Sequence, residues 1–166
     1  MPQQEMYHTI SLYQNFTPTT AVYPGSGTGN QLEILYLSLG LMGEVLEWYD
    51  SGYDEKEAGD IFWYCSQVCN LYGWQLSDLF ASINHYESCE VNLAEALKKY
   101  LRDDKNPMPV IYDYMRGAIS GIKRQYAYSV NNPPLEDTIV KILTMNRDKL
   151  IDRQNRDVIR GDGNER

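Results

Sequence analysis

The chain is poor in the residues that would place it in several common classes. It has three cysteines, Cys65, Cys69 and Cys89, and none stand in C-x-x-C spacing, so neither a zinc knuckle nor a redox pair is written in them. Cys65 and Cys69 fall one helical turn apart in an apolar run and read as buried thiols, which fits a reducing, cytoplasm-like compartment. Basic charge is scarce. The formal net charge is −8, which argues against direct nucleic-acid binding through a basic face. No apolar run reaches membrane-spanning length, and MPQQEMYHTI lacks a basic segment leading into an apolar block. A soluble intracellular protein without membrane partners is the expectation. Its 166 residues suit one domain with a sizeable core, and fourteen tyrosines supply large amphipathic surfaces.

Strand signals and internal repeats are also missing. The segment Tyr23–Asn30, YPGSGTGN, has the composition of a phosphate-binding loop, but no strand precedes it and no Gly-Lys-Ser/Thr follows. What remains is helical. Helices are predicted over Met6–Phe16, Gln31–Tyr49, Asp54–Tyr72, Leu76 to about Tyr100, Val110–Tyr128 and Leu135–Ile159. Asp54 and Glu57 have capping-box spacing, and Ser77 reads as an N-cap. Gly117 and Gly121 weaken their helix. Segments 102–107 and 129–134 read as breaks, and Arg160–Arg166 as a polar tail. The fold class is all-α, five or six helices without a sheet.

Two of these helices carry the chemistry. At about 100° per residue, Glu33, Gly40, Glu44 and Glu47 share one narrow sector of the first, with leucines, Ile34, Met42, Val45 and Trp48 around nearly all the rest. A helix that is apolar over most of its circumference is expected to be buried, with its acidic stripe facing a cleft. On the second, Glu57, Asp60, Ile61 and Tyr64 share a face. In an antiparallel hairpin the pairs Glu44/Glu47 and Glu57/Asp60 would face each other. Lys56 is the only basic residue between Gln31 and Tyr72, so the converging carboxylates require cations between them. Oxygen ligands suit hard ions, Mg²⁺ or Mn²⁺. The plainer reading makes Glu44 and Glu47 a solvated stripe and Glu57 a cap.

LGLMGEVLE followed by EKEAGDIFWYC resembles the E-x-x-E…E-x-x-D signature of MazG-like nucleoside triphosphate pyrophosphohydrolases, of the all-α NTP pyrophosphatase superfamily. YQNFTPTTAVYPG and MNRDKLIDRQNRDVIRGDGNER resemble the flanks of its compact, phage-type members. The resemblance implies hydrolysis of a nucleoside triphosphate to the monophosphate and pyrophosphate. It implies Glu44, Glu47, Glu57 and Asp60 as ligands of two or more ions, with Glu47 or Glu57 as the base. It further implies Tyr64, joined by Trp63, on the nucleoside and Asn146, Lys149 and Arg153 reaching the substrate; a solvated face is the alternative for those last three. A homodimer or homotetramer is expected, in the host cytoplasm if the chain is phage-encoded. The spacer between the carboxylate pairs is shorter and more acidic than in relatives. The single domain, 1–166, carries an apparent insert at about 86–138, read as an oligomer interface in preference to a lid over the base. The compact form with a large insert is most similar to the guanine-selective members that supply dGMP for diaminopurine DNA, so purine, dGTP or GTP, is favoured. Two rival classes stand beside the enzyme: a non-catalytic helical assembly module, and an acidic mimic of nucleic acid that binds a basic protein.

Overall fold

The computed structural model describes residues 1–82, 87–128 and 133–157, and within them the chain is helical without a strand. The helices are α1 (Pro2–Phe16), α2 (Gln31–Asp50), α3 (Glu55–Tyr72), α4 (Leu76–Ala81), α5 (Glu90–Asp103), α6 (Met108–Ala127) and α7 (Leu135–Asn155). The all-α expectation is met. α1 starts earlier than its apolar periodicity because Pro2 takes the first turn, where no backbone donor is needed.

α2 and α3 form an antiparallel hairpin. Gly40 lies against Tyr64, and four residues further along α2 Glu44 sits beside Asp60, four residues earlier on α3. The turn closes through Tyr53 N–H, which donates to the Trp48 carbonyl at 2.8 Å. Asp54 caps α3, accepting from Lys56 N–H at 2.8 Å. The expected reciprocal box does not form, because Asp54 N–H is taken by Ser51 Oγ at 3.1 Å, which leaves Glu57 free for the cleft.

α7 runs alongside α3 in the same direction: Lys141 pairs with Glu55, and Lys149 with Asp60. α1 packs against both. Thr17 shares a 2.7 Å hydrogen bond with Ser66, and Gln14 bonds to Asn70 and to the backbone of Trp74 and Leu76. The core between these helices holds Tyr13, Leu37, Leu41, Trp48, Ile61, Phe62, Ile119, Ile142 and the thiols of Cys65 and Cys69, as expected for the two cysteines. Burial pushes both thiols up, Cys69 to about 12, so they are neutral filling.

The single long helix predicted from Leu76 is corrected. α4 ends at Ala81 and α5 begins at Glu90, which raises the helix number among the described residues to seven. Gln75, not Ser77, is the N-cap. The separation has a tertiary cause: Lys123, half-buried on α6, donates its ammonium to the carbonyls of Phe80 (2.7 Å) and Ser82 (2.9 Å). Those are carbonyls the end of a helix leaves open. Gly117 is the second cause. A Cβ there would lie 2.4 Å from Ser88 N, so the glycine lets residues 87–88 cross α6. A residue that looked like a weak point of α6 is the place where the chain crosses.

α6 belongs to the core, through Ile111, Met115, Ala118, Ile119 and Ile122. Of the tyrosines within the apparent insert at about 86–138, Tyr114 and Tyr126 are buried and Tyr112 packs on Trp74, while Tyr128 is open to solvent. Tyr126 also ties α6 to the hairpin turn: it accepts from Trp48 Nε1 at 3.2 Å and donates to the Tyr53 carbonyl at 2.8 Å.

α2 departs from expectation too. Only part of its apolar circumference enters the core, and Leu32, Leu39 and Leu46 remain 54%, 58% and 47% exposed. No helix is long and apolar enough to cross a membrane among the described residues. The predicted polar tail, Arg160–Arg166, and residues 129–132 of the predicted linker lie outside the described residues.

Candidate metal centre

Two glycines let three helices close on one point. On α2, a Cβ at Gly40 would lie 2.2 Å from the Tyr64 ring, so the glycine lets that ring come close to the helix one turn before Glu44. On α3, a Cβ at Gly59 would meet the Asn146 side chain at 3.1 Å, one residue before Asp60. α3 is thereby held close to α2 on one side and to α7 on the other.

Glu44, Glu57 and Asp60 converge there, each offering a carboxylate oxygen within 4.8 Å of the others, and all three are half-buried. Three of the four predicted carboxylates therefore meet. Glu47 stands apart from this group, exposed one turn further along α2, yet near enough for its charge to act on Glu44 and Glu57. Glu44 is pushed up to about 8 by burial first and then by Asp60, Glu47 and Glu57. Glu57 is raised as well, by burial and then by Asp60 and Glu47. Oxygen-only ligands, partial burial and mutual repulsion are the conditions a small divalent cation relieves.

The facing sides of α2 and α3 supply no basic side chain, but α7 does. Lys149, from α7, pairs directly with Asp60. Asn146, 4% exposed, donates Nδ2 to the same Asp60 oxygen at 2.8 Å, and its own Oδ1 accepts from the Tyr13 hydroxyl at 2.7 Å. Tyr13 is 2% exposed, so the amide is gripped at both ends and one oxygen of Asp60 is held in place. Arg153 follows Lys149 by one turn on α7 and is half-buried. Of the polar stripe 146/149/153, Asn146 and Lys149 thus act on a carboxylate.

An aromatic wall adjoins the carboxylates. Tyr23 stacks on Tyr36 at 5.0 Å between centroids; Trp63 meets Tyr64 edge-on at 4.8 Å and Tyr23 at 5.9 Å. Trp63 Nε1 is anchored by Thr20 Oγ1 at 2.8 Å. Tyr64 is raised well above the usual phenol range by burial, with Tyr36, Glu44 and Asp60 adding to it, and stays a neutral donor. Trp63 and Tyr64 were legible in the sequence as an aromatic pair beside Asp60. Tyr13, Tyr23 and Tyr36 were not, since each reaches the site only through packing.

Glu33 occupies the same sector of α2 as Glu44 but serves a different purpose. It is 2% exposed and accepts from Gly27 N–H and Gly29 N–H, both at 2.9 Å, and from the Tyr23 hydroxyl at 2.7 Å. The glycine loop thus spends these amide donors on an internal carboxylate, which removes the structural basis for binding phosphate there. A cavity of about 410 Å³ lies elsewhere, between α5 and α6, lined by Glu87, Cys89, Glu95, Lys99, Lys105 and Asp113 among others, and includes none of the predicted site residues. No family model, curated protein or solved structure matches the chain, so the site is read from its own geometry and chemistry.

Proposed function

We propose that the protein is a metal-dependent nucleoside triphosphate pyrophosphohydrolase, cleaving between the α- and β-phosphates to leave a nucleoside monophosphate and pyrophosphate. The observation that carries this reading is the convergence of Glu44, Glu57 and Asp60 beside an aromatic wall and an ammonium group. The resemblance of the same residues to the MazG-like signature points the same way.

In this reading Glu44, Glu57 and Asp60 hold Mg²⁺ or Mn²⁺. When bound there, such ions supply positive charge for the triphosphate and polarise the attacking water. Glu44 gives up the proton that burial lets it keep. Asn146, fixed by Tyr13, keeps Asp60 oriented while Lys149 leaves the carboxylate and turns its charge to the phosphates. Glu47, exposed at the rim, or Glu57 takes the proton from water attacking the α-phosphorus, and pyrophosphate leaves. Trp63 and Tyr64 offer ring faces to the base. Purine, dGTP or GTP, is the favoured substrate, on the resemblance alone.

A pyrophosphate-release assay across the common ribo- and deoxynucleoside triphosphates, with and without Mg²⁺ or Mn²⁺, tests this. Release that depends on the ion and leaves a monophosphate supports it. No release with any of these substrates, or release of inorganic phosphate with a diphosphate, rejects it.

A further inference from the structure

Two donors share one oxygen of Asp60, and they differ in how firmly they are held. Asn146 Nδ2 donates to Oδ1 at 2.8 Å from an amide that is 4% exposed and is bonded to Tyr13 at its other end. Lys149 lies three residues further along the same face of α7 and reaches the same Oδ1. Its side chain is 27% exposed and rides on a flexible four-carbon stem. The amide is fixed, whereas the ammonium is free to swing outward. That ammonium stands where the negative charge of the cleft is concentrated. Glu44, Glu57 and Asp60 each offer an oxygen within 4.8 Å of the others, so a cation held on Asp60 is close to all three. Burial first, and then the neighbouring carboxylates, raise Glu44 and Glu57, and the Lys149 charge draws both back down. In the metal-free chain, Lys149 supplies part of the charge that an ion would bring.

We propose that Lys149 is a built-in competitor for the cation, and that a triphosphate relieves the competition, so that divalent ion and nucleotide each tighten the binding of the other. An ammonium and a divalent ion on one carboxylate repel each other, so Lys149 has to give up Asp60 when the ion enters. Leaving is easiest when its charge finds another anion, and the phosphates of a substrate provide one. The lysine therefore holds the affinity for the ion down until the substrate arrives. Asn146 stays on Asp60 throughout, so the carboxylate keeps its orientation while its charge changes partner. By linkage, the factor by which the triphosphate tightens the ion equals the factor by which the ion tightens the triphosphate. The coupling rests on the hydrolase reading for its triphosphate, whereas the competition between Lys149 and the ion does not.

Equilibrium dialysis of Mn²⁺ against the full chain tests this, first without nucleotide and then with a deoxyguanosine triphosphate analogue whose α–β bridge is an uncleavable imido group. Without nucleotide, Lys149→Met should bind Mn²⁺ about tenfold more tightly than wild type, the equivalent of one charge-assisted hydrogen bond. Lys149→Gln, neutral but still polar, should do the same, and both should keep the wild-type circular dichroism spectrum. Lys141→Met removes the same charge from α7 about two turns earlier, where it pairs with Glu55, and should change the affinity far less. The analogue should then tighten Mn²⁺ by a larger factor in wild type than in Lys149→Met, because only the wild type has an ammonium to release. Unchanged Mn²⁺ affinity in both neutral variants, an equal gain from Lys141→Met, or equal tightening by the analogue in wild type and Lys149→Met would each overturn the proposal. The comparison without nucleotide involves no turnover, so its outcome is separate from that of the pyrophosphate-release assay.

Discussion

Glu33 and Glu44 occupy one stripe of one helix, about three turns apart, and their surroundings make them opposites. Glu33 is saturated: two backbone amides and a tyrosine hydroxyl satisfy its charge, and it holds the Tyr23–Asn30 loop against α2. Glu44 faces Asp60, Glu47 and Glu57, is pushed up to about 8, and keeps its proton at neutral pH. One carboxylate has been given donors and the other has been given rivals. A buried carboxylate that is fully hydrogen-bonded has a structural role, whereas one surrounded by its own kind is poised to take a cation.

The largest effect expected from this contrast is on catalysis. Asp60→Asn keeps the shape of the hub that Asn146 and Lys149 hold, and removes its charge. Steady-state pyrophosphate release should fall by about a hundredfold or more, the loss of one positioned charged group. Glu33→Gln should leave that rate within a few-fold of wild type. Comparable losses in both variants would mean that the loop, not the carboxylate cluster, is the site.

Next is the response to pH and metal. The Glu44 carboxyl has an ordinary value of 4.5 and keeps its proton to about 8 in the folded chain. Between those values the native state binds more protons than the unfolded chain, so metal-free stability is greatest at the acid end and falls as pH rises through about 8. Glu57 is shifted the same way. Thermal melting of metal-free protein should therefore give a melting temperature that declines from pH 5 to pH 8. Mn²⁺ should raise it more at pH 8 than at pH 5, because at pH 8 fewer protons compete with the ion. Glu44→Gln should flatten the decline and remove most of the Mn²⁺ effect. A metal-free profile that rises over the same interval would contradict the arrangement.

Glu33→Gln, harmless to rate, should cost stability. Losing a charged acceptor for buried amides amounts to about 1–3 kcal/mol, seen as a lower denaturation midpoint with an unchanged slope. The smallest effect separates two glycines of α2. Gly43→Ala places its methyl in open space and should stabilise the helix by about 0.5–1 kcal/mol. Gly40→Ala forces the Tyr64 ring aside and should destabilise. Equal responses from the two would mean that the α2–α3 approach is looser than described.

Much of this was legible before any coordinates. Apolar periodicity marked the helices, and the spacing of Glu44, Glu57 and Asp60 put acidic residues on facing sides of a short-turn hairpin. The end of α4 at Ala81 and the separate start of α5 at Glu90 were not legible, because they depend on Lys123 and Gly117, about forty and thirty residues downstream. Nor were the donors to Glu33, since a glycine-rich loop reads alike whether it cradles a ligand or a side chain of its own chain.

What the sequence determined by itself is what local physics controls: helical period, turn chemistry and the residue types available on each face. Tertiary structure decided which of those groups share a space. It left Glu47 at the rim, brought Lys149 and the Tyr13–Asn146 pair onto Asp60, and left the leucine face of α2 open. The reason is range. A helix sets its own dihedral angles within a few residues, whereas the charge state of Glu44 and the partners of Asp60 depend on side chains from α2, α3 and α7, whose meeting point no local stretch encodes.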